Sequence, residues 1–174
     1  ALVRNVAAAV ALSNAVRSTL GPRGLDKMLV NDAGEATVTN DGVTVLETAR
    51  VEHPTANLLI ASSSSQDKSA RDGTTTTVIL MAEMLQNSLE LIRSGIHPSI
   101  IINGYRIANK EALKELDLMA RLADDKQLKR AVVRTSLQGK IDSVLSAHLT
   151  ELALNAAEAL IDEEGGNDLE RLRI

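Results

Sequence analysis

A single tyrosine, Tyr105, is the only aromatic residue in this chain, which has no phenylalanine and no tryptophan. Any core must therefore be packed from Leu, Ile, Val, Ala and Met. Such aliphatic packing suits helices laid against one another better than the facing layers of a thick β-sandwich. Hydrophobic residues fill 44% of the 174 positions, enough for a real core in one domain or slightly more. The same shortage of aromatics removes the stacking platforms used by readers of single-stranded nucleic acid.

Charge and cysteine content narrow the field further. Nineteen basic and 23 acidic residues give a net charge of −4, scattered along the chain, so no footprint for polyanions stands out. With no cysteine, disulfides, thiolate nucleophiles and cysteine-based zinc sites are excluded. No apolar run approaches the roughly 18 residues that span a bilayer. The opening segment ALVRNVAAAVALSNAVRS is small and apolar but interrupted by polar residues at helical spacing, so it reads as a buried helix rather than an export signal. A soluble intracellular protein is the expectation.

Glycine and proline punctuate the chain into elements. Residues 2–18 place Val3, Val6, Val10 and Val16 among alanines without a breaker, predicting a tightly packed helix that ends at Leu20-Gly21-Pro22-Arg23-Gly24. Residues 28–30 and 36–39, joined through 31–34, read as a short hairpin. Asn40-Asp41-Gly42 is a sharp turn into a short helix near 43–49. Pro54 opens a helix to about Ser69, Arg71-Asp72-Gly73 breaks it, and 74–93 forms a long helix with a wide apolar face. Gly95 stops that helix and Pro98 starts another to about Ala120. Two further helices, near 125–136 and 143–161, form a second, smaller unit. A linker at 163–167 and an alternating strand at 169–174 imply that the chain stops within a larger architecture. The predicted fold class is mainly α with a small β-hairpin.

Three of these breaks place Gly beside a small polar or acidic residue at the end of a regular element. Asp72-Gly73-Thr74-Thr75-Thr76-Thr77 is the most suggestive. Gly73 allows close backbone approach, and the threonines open a long helix whose first amides lack internal partners. The positive end of that helix together with the hydroxyls suits a phosphate. Asp72 would offer a hard oxygen to Mg²⁺, and Asp41 a second acid to orient water or complete the metal shell. The plainer reading stands beside this one: Asp-Gly is a common turn, and Asp or Thr before a helix is a common cap.

Other candidates carry less chemistry. No Walker loop, dinucleotide fingerprint, HExxH or GxSxG occurs. His53 and His97 each precede a proline and read as helix-entry residues, while His148 stands alone on a helix. Lys140 reads as a surface lysine on a loop.

Taken in order, these segments resemble the group II chaperonins, the thermosome and TCP-1 ring family. The resemblance is carried by residues 17–30 (RSTLGPRGLDKMLV), 38–46 (VTNDGVTVL), 51–54 (VEHP), Gln66-Asp67, 72–76 (DGTTT) and 95–108 (GIHPSIIINGYRIA). Residues 135–137 and Lys140 fit a later family segment. The resemblance implies a chaperonin equatorial-domain-like helical bundle over 1–121, the first part of a nucleotide-binding domain. Residues 122–174 would be the ascending part of an intermediate domain.

Carried over residue by residue, Leu20, Gly21 and Pro22 would line the nucleotide, with Gly42 beside it. Asp41 would sit near the attacking water and Asp72 would hold Mg²⁺. Gly73, Thr74, Thr75 and Thr76 would bind phosphates of ATP or ADP, and Lys140 would sense the γ-phosphate. Implied partners are other chaperonin subunits in a double ring and unfolded protein clients, with no nucleic acid and no membrane, in the cytoplasm. The sequence departs from the family at Arg71, where Gly is usual; a guanidinium there either pairs with phosphate or crowds a turn that needs glycine. It also lacks the segments that would supply the apical domain, a further catalytic acid and the rest of the nucleotide pocket. About half an ATP site is thus expected. The rival expectation is a non-catalytic helical assembly module, a truncated relative without a complete site. A small unrelated phosphate-binding enzyme is a third reading.

Overall fold

Helix boundaries in this chain fall where the backbone chemistry demands them. The computed structural model describes residues 1–160 apart from positions 22, 32, 50, 123–124 and 138–140. Pro22, Lys140, the linker at 163–167 and the strand expected at 169–174 therefore lie outside the described residues. The elements run α1 (Leu2–Arg17), β1 (Lys27–Val30), β2 (Ala36–Thr39), α2 (Gly42–Thr48), α3 (Pro54–Ala70), α4 (Thr74–Arg93), α5 (Pro98–Met119), α6 (Lys126–Leu137) and α7 (Ser143–Leu160). The mainly helical class with one small hairpin holds. The chain divides into two compact units, residues 1–118 and 119–174.

In the first unit α1 packs on α4 and α3, with α2 closing the group. The shared core consists of Ala9, Leu12 and Val16 from α1, Val45 and Leu46 from α2, Ala56 and Leu59 from α3, and Val78 and Ala82 from α4. Three of these nine are alanines, which let helix backbones approach closely where no aromatic ring is available to fill a wider gap. The buried face of α1 is Val6, Ala9, Leu12, Ser13 and Val16. Val3, expected among the packing valines, is exposed. Spacing of three or four residues decides the face, and small residues hold more of it than valine content implied.

The hairpin pairs Met28 with Val38 and Val30 with Ala36 in antiparallel register. Its turn is held by Asn31, whose Oδ1 accepts from the amides of Ala33 (3.0 Å) and Glu35 (2.9 Å). Leu29 packs against the core while Met28, Val30 and Val38 stay exposed. At the other end of the unit, Gly95 (φ 95) closes α4: its amide reaches Ile92 O and the amide of Ile96 reaches Leu91 O. This paired closure satisfies carbonyls that a helix end leaves open. His97 Nδ1 then accepts from the amide of Ser99, and His53 Nδ1 from that of Thr55, so both histidines serve as helix entries.

Tyr105 ties α5 to α4. Its hydroxyl donates to Met84 O at 2.8 Å and lies 3.2 Å from Ser88 Oγ. Along α5 only Ile101 is buried, and Ile100, Ile107, Leu113 and Leu116 are exposed. Among the described residues no helix is long and apolar enough to cross a membrane.

Among its described residues the second unit is a helical pair, α6 packed on α7. Asp125 starts α6 by accepting from the amide of Gln127, and Asp142 starts α7 by accepting from Val144 and Leu145. Ser146, Thr150 and Leu154 are buried along α7. A two-pronged ion pair joins the helices, with Arg130 Nε 2.6 Å from Glu151 Oε1 and Nη2 2.8 Å from Oε2. The hydrogen bond from Arg130 holds the Glu151 carboxyl below its ordinary range, helped by the charges of Arg130 and Lys126.

Two predictions follow from this packing. Val78→Ala should lower the stability of the first unit by about 2 kcal/mol, through lost transfer energy and a cavity. Ser13→Ala should raise it by about 1 kcal/mol instead, because the buried Ser13 hydroxyl has no hydrogen-bond partner among the described residues. Urea unfolding of each variant measures both. In the second unit, a carboxylate with a depressed folded-state pKa stabilises above its unfolded value and loses that contribution as pH falls. The urea midpoint of the wild type should therefore exceed that of Glu151→Gln at neutral pH, and the gap should close below about pH 4.5.

Candidate functional site

The turn between α3 and α4 has an unusual backbone. Arg71 caps α3 in the left-handed region (φ 55, ψ 17), and Gly73 caps α4 in the same region (φ 77, ψ 10). Two left-handed residues on either side of Asp72 reverse the chain within three positions. Of the two expectations for Arg71, the turn that favours glycine is what the backbone adopts. Its guanidinium lies 3.9 Å from Asp67, one turn back on α3. Gln66 Nε2 donates to Asp72 O (3.0 Å) and fixes the loop from below, while Asp72 Oδ1 accepts from the amide of Gly73 at 2.7 Å.

Beyond Gly73 the α4 ladder begins with the amide of Thr77 donating to Gly73 O. No side chain caps this end. The amides of Thr74, Thr75 and Thr76 therefore point out of the helix without an acceptor among the described residues, and they carry the positive end of a 20-residue helix. Thr74 and Thr75 are only 8% and 9% exposed, and no hydrogen bond engages either hydroxyl among the described residues. Ser63 Oγ reaches Thr74 O (3.3 Å), anchoring the first turn to α3. Thr76 is exposed.

Asp41 is the N-cap of α2. Its Oδ2 accepts from the amide of Thr44 (2.9 Å) and from Thr44 Oγ1 (2.6 Å), and its own amide donates to Thr39 Oγ1. Gly42 is buried against α4: a β-carbon there would stand 2.2 Å from Thr75 Oγ1. The first residue of α2 and the first turn of α4 thus touch, although 33 positions apart, and they bring residues 40–42 and 72–77 to one end of the helical group. Leu20 and Gly21 lie on a separate compact turn, exposed, with Gly21 at φ 84 and Gly21 O accepting from the amide of Gly24. No hydrogen bond links them to the other two loops among the described residues.

Chemically this is one end of a helix with three unpaired donors, two half-enclosed hydroxyls and a carboxylate at the rim. Among the described residues no three metal-ligating side chains cluster, so protein donors alone would not cage a cation. A small hard cation that keeps its waters and shares phosphate oxygens needs only one or two carboxylates. The donor set therefore fits a phosphate with magnesium. Gln66, Ser63 and Thr44 support the loops without having been singled out as functional. Thr44 was open to detection, three positions after an Asp that begins a helix; Gln66 stood only within the Gln66-Asp67 segment of the family resemblance, with no role given, and Ser63 acts across the fold and leaves no local signal.

Comparison with known proteins is consistent across almost the whole sequence. The sequence profile of the TCP-1/cpn60 chaperonin family matches residues 12–174. A thermosome subunit of Methanocaldococcus jannaschii is 42% identical over 164 residues, covering 93% of this chain and 30% of that protein. The thermosome subunit beta of Desulfurococcus mucosus is 41% identical over 179 residues, covering 100% of this chain and 36% of its own. The thermosome subunit alpha of Thermoplasma acidophilum is 41% identical over 165 residues, with 95% and 30% covered. The chain thus spans about a third of the length of these relatives.

The Gly42–Thr75 contact makes its own prediction. Gly42→Ala should destabilise the first unit by roughly 1–3 kcal/mol through overpacking. Combining it with Thr75→Ala, which removes the opposing oxygen, should recover part of that loss in urea unfolding.

Proposed function

The chain belongs to the TCP-1/cpn60 chaperonin family, and we propose that its α2 and α4 starts form part of a Mg·ATP site in an ATP-dependent protein-folding chaperonin subunit. The observation that carries this reading is the uncapped start of α4, where the amides of 74–76 and the hydroxyls of Thr74 and Thr75 have no partner among the described residues and Thr75 packs against Gly42. In this reading those amides and hydroxyls, with Thr76, donate to phosphate oxygens, and Gly73 lets the backbone come close. Asp72 turns its carboxylate to the cation. Held there, magnesium would supply positive charge to offset that of the phosphates. Asp41 keeps Oδ2 on its Thr44 cap and accepts a hydrogen from the attacking water on Oδ1. Leu20, Gly21 and Pro22 line the nucleotide, and Lys140 answers to the γ-phosphate. Catalysis of this kind is mostly positioning and charge stabilisation.

The proposal extends to the whole protein by family. Residues 1–121 are the first part of the equatorial domain and 122–174 the ascending intermediate segment. The subunit assembles with others in a double ring in the cytoplasm and cycles on unfolded clients, with no nucleic acid or membrane partner. Since this chain spans about a third of its relatives, efficient turnover needs segments beyond it. The rival reading, a non-catalytic helical assembly module, draws on the apolar residues exposed along α5. It requires that ATP and ADP bind without any dependence on magnesium or not at all.

Titration of the chain with ATP, in magnesium and in EDTA, separates the two. Asp72→Ala should weaken magnesium-dependent ATP affinity about tenfold or more, the loss of one charge-assisted interaction. Asp41→Asn should leave affinity nearly unchanged and suppress phosphate release in the complete assembly. Affinity unaltered by Asp72→Ala would overturn the metal role.

A further inference from the structure

Arg71 is the single non-glycine residue with positive φ among the described residues. A side chain with a β-carbon adopts that conformation at a cost, and strain of this kind is a starting point for a functional hypothesis. The guanidinium gains little locally. Its contact with Asp67 spans 3.9 Å and its side chain is 79% exposed, a setting in which ion pairs are weak. A loosely held positive charge thus stands one residue before Asp72. Three and four positions after Arg71 stand Thr74 and Thr75, residues only 8% and 9% exposed whose hydroxyls form no hydrogen bond among the described residues, at the uncapped start of α4.

We propose that Arg71 sets how strongly nucleotide binding at this site depends on the divalent cation, an inference that rests on the ATP-site reading above. A guanidinium carries a permanent charge and donors matched to phosphate oxygens. Next to Asp72 it opposes a second cation on that carboxylate. When the cation is missing, it supplies positive charge to the phosphates in its place. Both effects narrow the gap between affinity for Mg·ATP and affinity for free ATP.

Equilibrium dialysis of ATP against the full chain, with excess magnesium and again with EDTA, gives that gap as a ratio. Glycine and asparagine both tolerate the left-handed region, so Arg71→Gly and Arg71→Asn remove the charge without forcing the backbone. Each should raise the ratio by up to about fivefold. Arg71→Lys, which keeps the charge, should leave it near the wild-type value. An unchanged ratio in both neutral variants overturns the proposal, as does a rise in Arg71→Gly alone, which marks a backbone effect. If ATP binds none of these proteins under either condition, the reading of the site fails and this proposal with it.

Discussion

The arrangement of the first unit depends on a missing side chain. Gly42 leaves space that Thr75 fills, so the short helix α2 can begin directly against the first turn of α4. Any β-carbon at that point would push the two starts apart and take Asp41 away from the loop that carries Asp72. The close approach in turn needs the core beneath it. Val45 and Leu46 of α2 sit among Ala9, Leu12 and Val16 of α1 and Val78 and Ala82 of α4, a group small enough to bring four helices into one cluster. An aliphatic core without rings sets the distances, and the glycine uses them.

The capping pattern at that end is unequal in a way that matters. Asp41 spends one oxygen on the start of α2, which is stabilised in the ordinary manner. Asp72 spends one on Gly73, outside α4, and leaves the first amides of the longer helix without a partner among the described residues. A side chain that capped α4 would add about 1 kcal/mol of stability. It would also occupy the donors that an anion needs. The fold thus keeps its longest polar axis in the first unit's core open at the end where two loops converge.

Much of this architecture was legible from punctuation in the sequence. Pro54, Gly73, Gly95 and Pro98 mark the limits of α3, α4 and α5 because each has a backbone requirement that a helix interior cannot meet. The hairpin was legible from its two short apolar runs around an Asn-containing turn. The packed face of α1 was less so, since Ser13 and Ala9 are buried while Val3 is not; hydrophobicity ranks side chains, whereas close helix contact selects for small ones. At the candidate site the loops themselves could be read from glycine beside acid and threonine. Their meeting could not, because the contact of Gly42 with Thr75 and the braces from Gln66 and Ser63 join positions distant in sequence. The left-handed cap at Arg71 was open only as one of two alternatives, since an arginine does not announce a positive φ.

Tyr105 has a further consequence. It is the only chromophore of its kind in the chain, and its phenol is fixed to Met84 O where α5 crosses α4. Near-ultraviolet absorption and intrinsic emission therefore originate from one point in the molecule. Any loosening of α5 from α4 changes the environment of that phenol, while events confined to the pair α6 and α7 have no aromatic reporter of their own. The chain carries a built-in optical label at a single helix joint, with no fluorophore elsewhere to obscure it.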